Sequence, residues 1–207
     1  SERLKKNNGI DSEILYPPLM DASIYKITNK YEDYIFYPSR VNHSKRQYLA
    51  VEAMRYTKSK VKLILAGKGD APSDEAAIFE LIEKYDLQDK VIYINRFITE
   101  QEKVKLFESA LAGIYIPYDE DSYGYPSLEA HHSEKAVISC SDSGGTSELI
   151  VNGYNGYITE PDPMQLAEIF DHLYENRKLA EQMGRNGKER LNELNISWDY
   201  VIRRFTE

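Results

Sequence analysis

Cysteine and long apolar runs are scarce in this sequence, and each absence excludes a class of protein. One cysteine, Cys140, occurs among 207 residues, so no disulfide can form within the chain and a reducing compartment is predicted. Because Cys140 lies in an apolar run, we predict a buried strand residue rather than a nucleophile. No apolar run approaches the ~20 residues of a membrane-spanning helix, and the N-terminus lacks the apolar core of a signal peptide. We therefore expect a soluble, cytoplasmic chain.

Basic clusters are missing as well. The 34 acidic residues outnumber the 26 basic ones and give a formal net charge of −8, which argues against nucleic acid as the main partner.

Gly67 and Gly69 lack the third glycine of the dinucleotide fingerprint, so NAD is not indicated. With 42% hydrophobic residues, the chain can bury one ordinary core.

Short apolar or β-branched runs alternate with helical patterns along the chain. The runs are typical of strands buried on both faces and occupy residues 35–38, 61–66, 91–94, 113–117 and 136–140, with a sixth short strand near 156–159. The helical patterns between them occupy residues 45–57, 73–85, 100–109 and 126–133. This alternation predicts an α/β fold with a Rossmann-like, doubly wound, mostly parallel sheet of about six strands.

The two ends of the chain differ from its middle. Residues 1–30 are polar, with a Pro17-Pro18 break, and are interpreted as a connector that enters a domain formed by residues 31–207. From Pro163 onward the pattern is helical, and residues 198–205 form a last amphipathic segment that begins at Trp198. This segment could pack on its own domain or on a missing neighbour, and the sequence leaves both open.

The distinctive polar motifs follow the predicted strands at their carboxyl ends, where open parallel sheets bind ligands. They are Ser39-Arg40, Gly67, Arg96-Phe97, the segment 118–124, and Ser143-Gly144-Gly145. Arg40 and Lys45 are five residues apart, so both cations can point into one crevice. We therefore predict that a single crevice collects these motifs.

Gly124 and Pro126 open a predicted helix, because proline is tolerated at the first helical position. Free backbone N–H groups at such a helix start can bind phosphate. Glu129 lies on the first turn of the same helix, and its carboxylate can accept hydrogen bonds from two adjacent hydroxyls. These are the parts of a site for a ligand that carries both a phosphate and a vicinal diol.

The ordered set of motifs resembles the donor-binding domain of GT-B glycosyltransferases, more narrowly the retaining family with an E-x7-E motif. The motifs are Arg40 to Lys45, the strand end at Gly67, Leu87 to Arg96, D-S-Y-G-Y-P-S-L-E from Asp121 to Glu129, and Gly144 to Glu148. The resemblance extends from Tyr31 to the C-terminus. It implies one half of a GT-B fold, with an acceptor-binding N-terminal domain missing from this chain.

The resemblance also implies roles for individual residues. Arg40 and Lys45 would stabilise the diphosphate leaving group without a metal, and Glu129 would bind the ribose. Asp121 would orient the donor sugar. The remaining donor-binding residues implied are Gly124, Tyr125, Pro126, Ser127 and Leu128 at the helix start, Arg96 and Phe97 near the base, and Gly144 and Gly145.

Asp121 departs from the family pattern, which usually has glutamate at this position. Aspartate is shorter by one methylene, which reduces its reach by ~1.5 Å. Asp119 and Asp121 also form a D-x-D motif, and an alternative interpretation is a divalent ion held by these two carboxylates. We expect no metal, because Arg40 and Lys45 already supply positive charge.

His131 and His132 are adjacent, which discourages a metal site. Neighbours on a helix point ~100° apart and cannot share one ion. We expect both rings to face solvent or to support site residues from behind.

These observations predict the donor domain of a glycosyltransferase that transfers a hexose-like sugar from a nucleoside diphosphate to an acceptor hydroxyl. Retention of configuration and a setting in polysaccharide biosynthesis are implied by the resemblance alone. Two alternatives stay open, a sugar-nucleotide epimerase of the same architecture and a noncatalytic partner-binding module. We expect no cofactor other than the sugar-nucleotide substrate, and peripheral membrane contact through the missing half stays open. The base, the sugar, the acceptor and the linkage are not determined by the sequence.

Overall fold

The computed structural model describes residues 2–120 and 123–207. Within them, six strands form one all-parallel sheet in the order β3-β2-β1-β4-β5-β6. The strands are β1 (Tyr34–Pro38), β2 (Lys62–Ala66), β3 (Val91–Ile94), β4 (Ala112–Ile114), β5 (Ala136–Cys140) and β6 (Gly156–Thr159). The predicted doubly wound α/β fold is confirmed. The order of the strands reverses between β1 and β4, and ligands bind at such a switch point in open α/β sheets.

Helices cover both faces of the sheet. They are α1 (Glu2–Asn8), α2 (Gln47–Ala53), α3 (Pro72–Lys84), α4 (Glu100–Ser109), α5 (Tyr125–His132), α6 (Thr146–Leu149), α7 (Pro163–Glu175), α8 (Arg177–Glu193) and α9 (Trp198–Thr206). Short 3₁₀ turns lie at Ala22–Ile24 and His43–Lys45. None of the helices within the described ranges is long and apolar enough to cross a membrane.

The side chains of β1 alternate between two hydrophobic clusters, one on each face of the sheet. Ile35 and Tyr37 pack in one cluster, while Tyr34 and Phe36 pack in the other, because successive side chains point to opposite faces. All five residues of the strand are buried. The continuous apolar run therefore reflects burial on both faces, as predicted.

Two predicted elements are shorter in the structure. The helix predicted at residues 45–57 begins only at Gln47, because Arg46 adopts a left-handed conformation with φ of 56° after the 3₁₀ turn. The strand predicted at 113–117 ends at Ile114. Beyond Ile114, side chains rather than a neighbouring strand donate hydrogen bonds to the backbone carbonyl groups. Ser139 Oγ donates to Tyr115 O, and Arg46 Nε donates to Ile116 O.

Part of the N-terminal segment packs on the domain. Leu19 and Tyr25 are buried in the cluster that contains Phe36, and Trp198 Nε1 donates to Leu19 O at 2.9 Å. Trp198 of α9 thus packs on its own chain, although 44% of its surface stays exposed. The assignment of residues 1–30 as an interdomain connector stays a prediction.

A buried lysine anchors the chain where it enters the sheet. Lys135 precedes β5, and its ammonium group donates to Lys30 O at 2.8 Å and lies 3.6 Å from the centroid of the Tyr31 ring. Its side chain is fully buried. Burial lowers the pKa of Lys135 to about 8, although Glu134 and other carboxylates act in the opposite direction.

Replacing this lysine should change the pH dependence of stability. From about pH 8 to the ordinary lysine pKa of 10.5, the unfolded chain binds more protons than the folded chain, so Lys135 makes stability increase with pH. In Lys135→Met this contribution is absent. We expect the unfolding free energy of the wild type, relative to the variant, to rise from about pH 7.5 to about pH 9.5 in urea titrations. Lys178→Met, at an exposed lysine of α8, serves as the control, and a flat difference for Lys135→Met would contradict the prediction.

Candidate functional site

A cavity of about 810 Å³ lies beyond the carboxyl ends of β1 and β2, beside the start of α5. The predicted site residues that line it are Arg40, Lys45, Phe97, Gly124, Tyr125, Pro126 and Glu129. Glu120 of the loop after β4 and Tyr25 of the N-terminal segment complete its wall. The cavity therefore brings together the two cations, the helix start and the glutamate that the sequence analysis singled out.

The remaining predicted residues lie outside the lining of this cavity. They are Arg96, Ser127, Leu128, Gly144 and Gly145. The expectation of one crevice that collects every motif is thus met only in part. Asp121, and with it half of the D-x-D motif, falls outside the described residues.

Lys45 is held at the cavity wall by two partners. Its ammonium group donates to the Tyr115 hydroxyl at 2.8 Å and forms an ion pair with the Glu120 carboxylate. The side chain is only 13% exposed. Burial lowers the pKa of Lys45, but the hydrogen bonds to Glu120 and Tyr115 outweigh it and the net shift is upward. Lys45 is therefore a fixed cation at neutral pH.

Arg40 is the more exposed of the two cations. Its side chain is 61% exposed, and Nη1 donates to Asp70 Oδ1 at 2.9 Å. Asn42 donates to the other oxygen of the same carboxylate at 2.7 Å. Each of the two cations thus has a carboxylate partner, which the sequence analysis missed because Asp70 and Glu120 lie far from them along the chain.

The start of α5 depends on Gly124. This residue has φ of 72°, and a Cβ atom there would lie 2.1 Å from the Tyr115 ring. Pro126 follows within the first turn, as predicted. The amide of Ser127 donates to Gly124 O at 3.1 Å, and the side chains of Ser127 and Leu128 are fully buried. The Ser127 amide is therefore engaged in the turn rather than open to a phosphate, contrary to the predicted row of free donors.

Glu129 lines the cavity, and its side chain is largely shielded from solvent. Its side chain is 7% exposed, and Oε1 accepts a hydrogen bond from Lys103 Nζ of α4 at 2.6 Å. The Tyr25 hydroxyl lies nearby and donates to Glu100 Oε2 at 3.5 Å. Burial raises the pKa of Glu129, while Lys103 and Tyr25 act against that rise. Sequence reasoning missed both neighbours, since neither Lys103 nor Tyr25 belongs to a recognisable motif.

The glycine pair after β5 supports the loop that carries Glu120. Gly144 has φ of 65°, and a Cβ atom there would lie 2.3 Å from Glu120 O. The amide of Gly145 donates to that same oxygen at 2.8 Å. These glycines permit close approach of two backbones, and their implied role in donor binding stays a prediction.

Arg96 and Phe97 separate in space although they are adjacent in sequence. The Arg96 guanidinium pairs with both carboxylate oxygens of Glu102, at 3.1 and 2.6 Å, and so fastens the start of α4. Phe97 is 70% exposed and faces the cavity. This ion pair gives Arg96 a structural role at the start of α4, and its implied place near the base stays a prediction.

The histidine pair is buried, which rules out solvent exposure for both rings, whereas the alternative expectation, that they support site residues from behind, stays a prediction. His131 is fully buried with Nδ1 3.1 Å from Lys135 O, and His132 has Nδ1 2.9 Å from Lys188 Nζ of α8. The two residues are covered because α8 packs across α5. Burial lowers the pKa of each to about 4. Over residues 2–120 and 123–207, no group of three His, Cys, Asp or Glu side chains is arranged to hold a metal ion.

Arg46 is the buried connection between the loops that build the cavity. Its guanidinium binds both oxygens of Asp142 at 2.8 and 2.7 Å, and it donates to the carbonyl groups of Ile116 and Pro117 at 2.7 and 2.9 Å. The neighbouring backbone adds a bond from Tyr118 N to Ser44 O at 2.8 Å. Loops after β1, β4 and β5 are thereby joined through one side chain. No motif in the sequence marks it.

A doubly wound parallel sheet with a cavity at its switch point is the architecture in which open α/β domains bind ligands. The family model described as "Glycosyl transferases group 1" matches residues 24–190, and the chain belongs to that family. Its fold is that of the C-terminal half of a GT-B glycosyltransferase, as the resemblance implied.

Curated relatives carry glycosyltransferase names. The human alpha-1,3/1,6-mannosyltransferase ALG2 is 28% identical over 93% of this chain and 51% of its own length. The protein of that name from Dictyostelium discoideum is 31% identical over 66% of this chain and 33% of its own length. The chain thus spans about half the length, or less, of the curated relatives it matches.

Solved structures share the fold at low identity. Sucrose-phosphate synthase from Thermosynechococcus elongatus matches 99% of this chain and 54% of its own, with a TM-score of 0.84 and 19% identity. Staphylococcus aureus TarM, solved as a mutant with UDP, matches 99% of this chain and 41% of its own, with a TM-score of 0.81 and 22% identity. The C-terminal domain of the group 1 protein LpcC from Francisella tularensis matches 86% of this chain and 94% of its own, with a TM-score of 0.69 and 24% identity.

Removing the Arg46 guanidinium should destabilise the fold. Arg46→Met leaves the Asp142 carboxylate and two buried carbonyl groups without their donor. We expect a loss of about 2 kcal/mol in the free energy of unfolding, below the usual range for a broken buried pair because Asp142 is partly solvated. Urea denaturation followed by circular dichroism measures it. Arg40→Met, which breaks an exposed pair, should cost far less, and equal losses in the two variants would contradict the assignment.

Proposed function

We propose that this chain is the donor-binding domain of a glycosyltransferase that transfers a hexose-like sugar from a nucleoside diphosphate to an acceptor hydroxyl. The observation that carries the proposal is the single cavity lined by Arg40, Lys45 and Glu129, in a chain that belongs to the group 1 family. Two cations suit a diphosphate, and a glutamate suits the ribose diol of the same molecule.

Charge stabilisation is the main chemical task assigned to Arg40 and Lys45. Negative charge gathers on the diphosphate as the glycosidic bond breaks, and preorganised cations lower the energy of that state. The diphosphate would replace Glu120 at Lys45 and Asp70 at Arg40, exchanging one anionic partner for another. Low exposure of Lys45 supports this role, since a fixed ammonium group needs little reorganisation. Because Arg40 and Lys45 supply the positive charge, the proposal invokes no metal and does not adopt the D-x-D alternative.

Orientation of the donor sugar is assigned to Asp121 and to the backbone at the start of α5. Gly124 and Tyr125 line the cavity there, whereas Leu128, whose side chain is buried, would act only through main-chain atoms. Retention of configuration belongs to the same proposal. Phe97, exposed at the rim, and the neighbouring backbone would contact the base.

The acceptor site is assigned to a separate N-terminal domain, with residues 1–30 as the connector and residues 31–207 as the donor domain. The LpcC match, which covers 94% of a domain named as C-terminal, supports this division. Mannose is one candidate for the transferred sugar, because the ALG2 relatives are named mannosyltransferases. A cytoplasmic location and peripheral membrane contact through the N-terminal half complete the proposal.

Titration calorimetry with UDP, GDP and ADP tests the proposal directly. We expect weak binding with a preference for one base, and a loss of about tenfold in affinity in Lys45→Ala or Arg40→Ala, as for one lost charge-assisted hydrogen bond. The matched control is Lys105→Ala, an exposed lysine of α4 beside a different cavity near β1 and β2.

Two results would contradict the proposal. If no diphosphate binds, or if the two cation variants bind as well as the control, a noncatalytic module becomes the better interpretation. A product mixture of epimers from a sugar nucleotide without acceptor would instead indicate an epimerase. We further expect little or no sugar transfer by this chain alone.

A further inference from the structure

The Glu129 carboxylate is held by groups that no motif of the family marks. Lys103 projects from α4, one turn after Glu100, and its ammonium group lies 2.6 Å from Glu129 Oε1 and 2.8 Å from Glu100 Oε1. The hydroxyl of Tyr25, from the N-terminal segment, donates to Glu100 Oε2 at 3.5 Å beside this pair. Three separate parts of the chain thus meet around this one carboxylate.

We propose that Lys103 is a positioning residue that fixes the charged Glu129 carboxylate in the orientation that receives a ribose diol. The inference rests on the proposed function, since it takes Glu129 as the ribose ligand. It assigns Lys103 a role in ribose recognition without requiring it to touch the nucleotide.

Burial separates this contact from an ordinary surface ion pair. The side chains of Lys103 and Glu129 are 17% and 7% exposed, whereas that of Glu100 is 60% exposed. A pair between two long side chains costs rotamer freedom, and it is worth little in water. Here both side chains are largely desolvated, and both line the cavity. Removing Lys103 would therefore leave a buried carboxylate without its cation.

An inventory of hydrogen bonds shows that the arrangement leaves room for a ligand. An ionised carboxylate has about four acceptor positions on its two oxygens. Lys103 occupies one of them, while the nearby Tyr25 hydroxyl donates to Glu100 Oε2. The two positions that the adjacent hydroxyls of a ribose require therefore remain.

The protonation state of Glu129 depends on the same contacts. Burial raises the pKa of this carboxyl group, and Lys103 and the Tyr25 hydroxyl counteract that rise. Glu100 from α4 acts with burial, while His132, on the helix of Glu129 itself, has its ring 6.5 Å from that of Tyr25. A protonated carboxyl group loses acceptor capacity, so diol binding requires the ionised form. Without Lys103, protonation and the loss of diol binding move to higher pH.

A thermodynamic cycle isolates ribose recognition from every other effect. The probes are the nucleoside diphosphate bound most tightly among UDP, GDP and ADP, and its 2′,3′-dideoxy counterpart. Their affinities are measured by calorimetry for the wild type, Glu129→Gln, Lys103→Met and Lys105→Met. Lys105→Met removes an exposed lysine of the same helix and controls for net charge.

We expect the wild type and Lys105→Met to prefer the ribose form by about tenfold or more, as for hydrogen bonds to a charged acceptor. Glu129→Gln and Lys103→Met should both lose most of that preference. The affinity of Lys103→Met for the dideoxy form should stay within about twofold of the wild type, because the diphosphate cations Arg40 and Lys45 are unchanged. Lys103→Arg should restore part of the preference.

A pH series adds a readout that a purely structural role would leave unchanged. The preference of Lys103→Met for the ribose form, where any remains, should decline at a higher pH than that of the wild type when measured from about pH 8 down to about pH 5. If Lys103→Met does not fold, as judged by circular dichroism, Lys103→Gln takes its place in the whole series.

The outcomes separate the inference from the function on which it rests. If Glu129→Gln keeps the full ribose preference, the proposed role of Glu129 is wrong. If Glu129→Gln loses the preference while the Lys103 variants keep it at every pH, only the inference is overturned. Equal loss of ribose and dideoxy binding in the Lys103 variants also overturns it, because the effect would then not concern the diol.

Discussion

The cavity depends on the hydrogen bonds and the ion pair that the buried guanidinium of Arg46 forms. This side chain joins the loop after β1 to the loops after β4 and β5 through Asp142 and the carbonyl groups of Ile116 and Pro117. A left-handed backbone at Arg46 ends the turn that carries Lys45, and this conformation costs about 1 kcal/mol or more. The hydrogen bonds of the side chain offset that cost. Lys45 and Glu120 can therefore face the same cavity from loops far apart in sequence.

Charges at the cavity are arranged in pairs, which has consequences for ligand binding. Lys45 pairs with Glu120, Arg40 with Asp70, and Glu129 with Lys103. A buried cation without a counter-charge is costly, and the Glu120 carboxylate lowers that cost for Lys45, whose side chain is 13% exposed. An anionic ligand must compete with these carboxylates, which lowers its affinity.

Structural and functional roles are divided within single motifs. Arg96 fastens α4 while Phe97 faces the cavity, and Gly144 supports the Glu120 loop although Glu120 itself lines the cavity. His131 and His132 fill the space between α5 and α8 rather than contacting solvent. Residues that a family motif groups together thus act through different contacts. A role assigned to a motif does not transfer to each of its members.

The sequence by itself determined the fold class, the succession of strands and helices along the chain, and the convergence of Arg40, Lys45 and Glu129. Apolar runs report burial on both faces of a sheet, and parallel strands bring their carboxyl ends to one edge. Only the tertiary structure decided the partners of these residues. Asp70, Glu120 and Lys103 reach them because helices and loops distant in sequence pack side by side. Local patterns carry information on burial and periodicity, whereas hydrogen bonds between distant residues depend on packing that no short segment encodes.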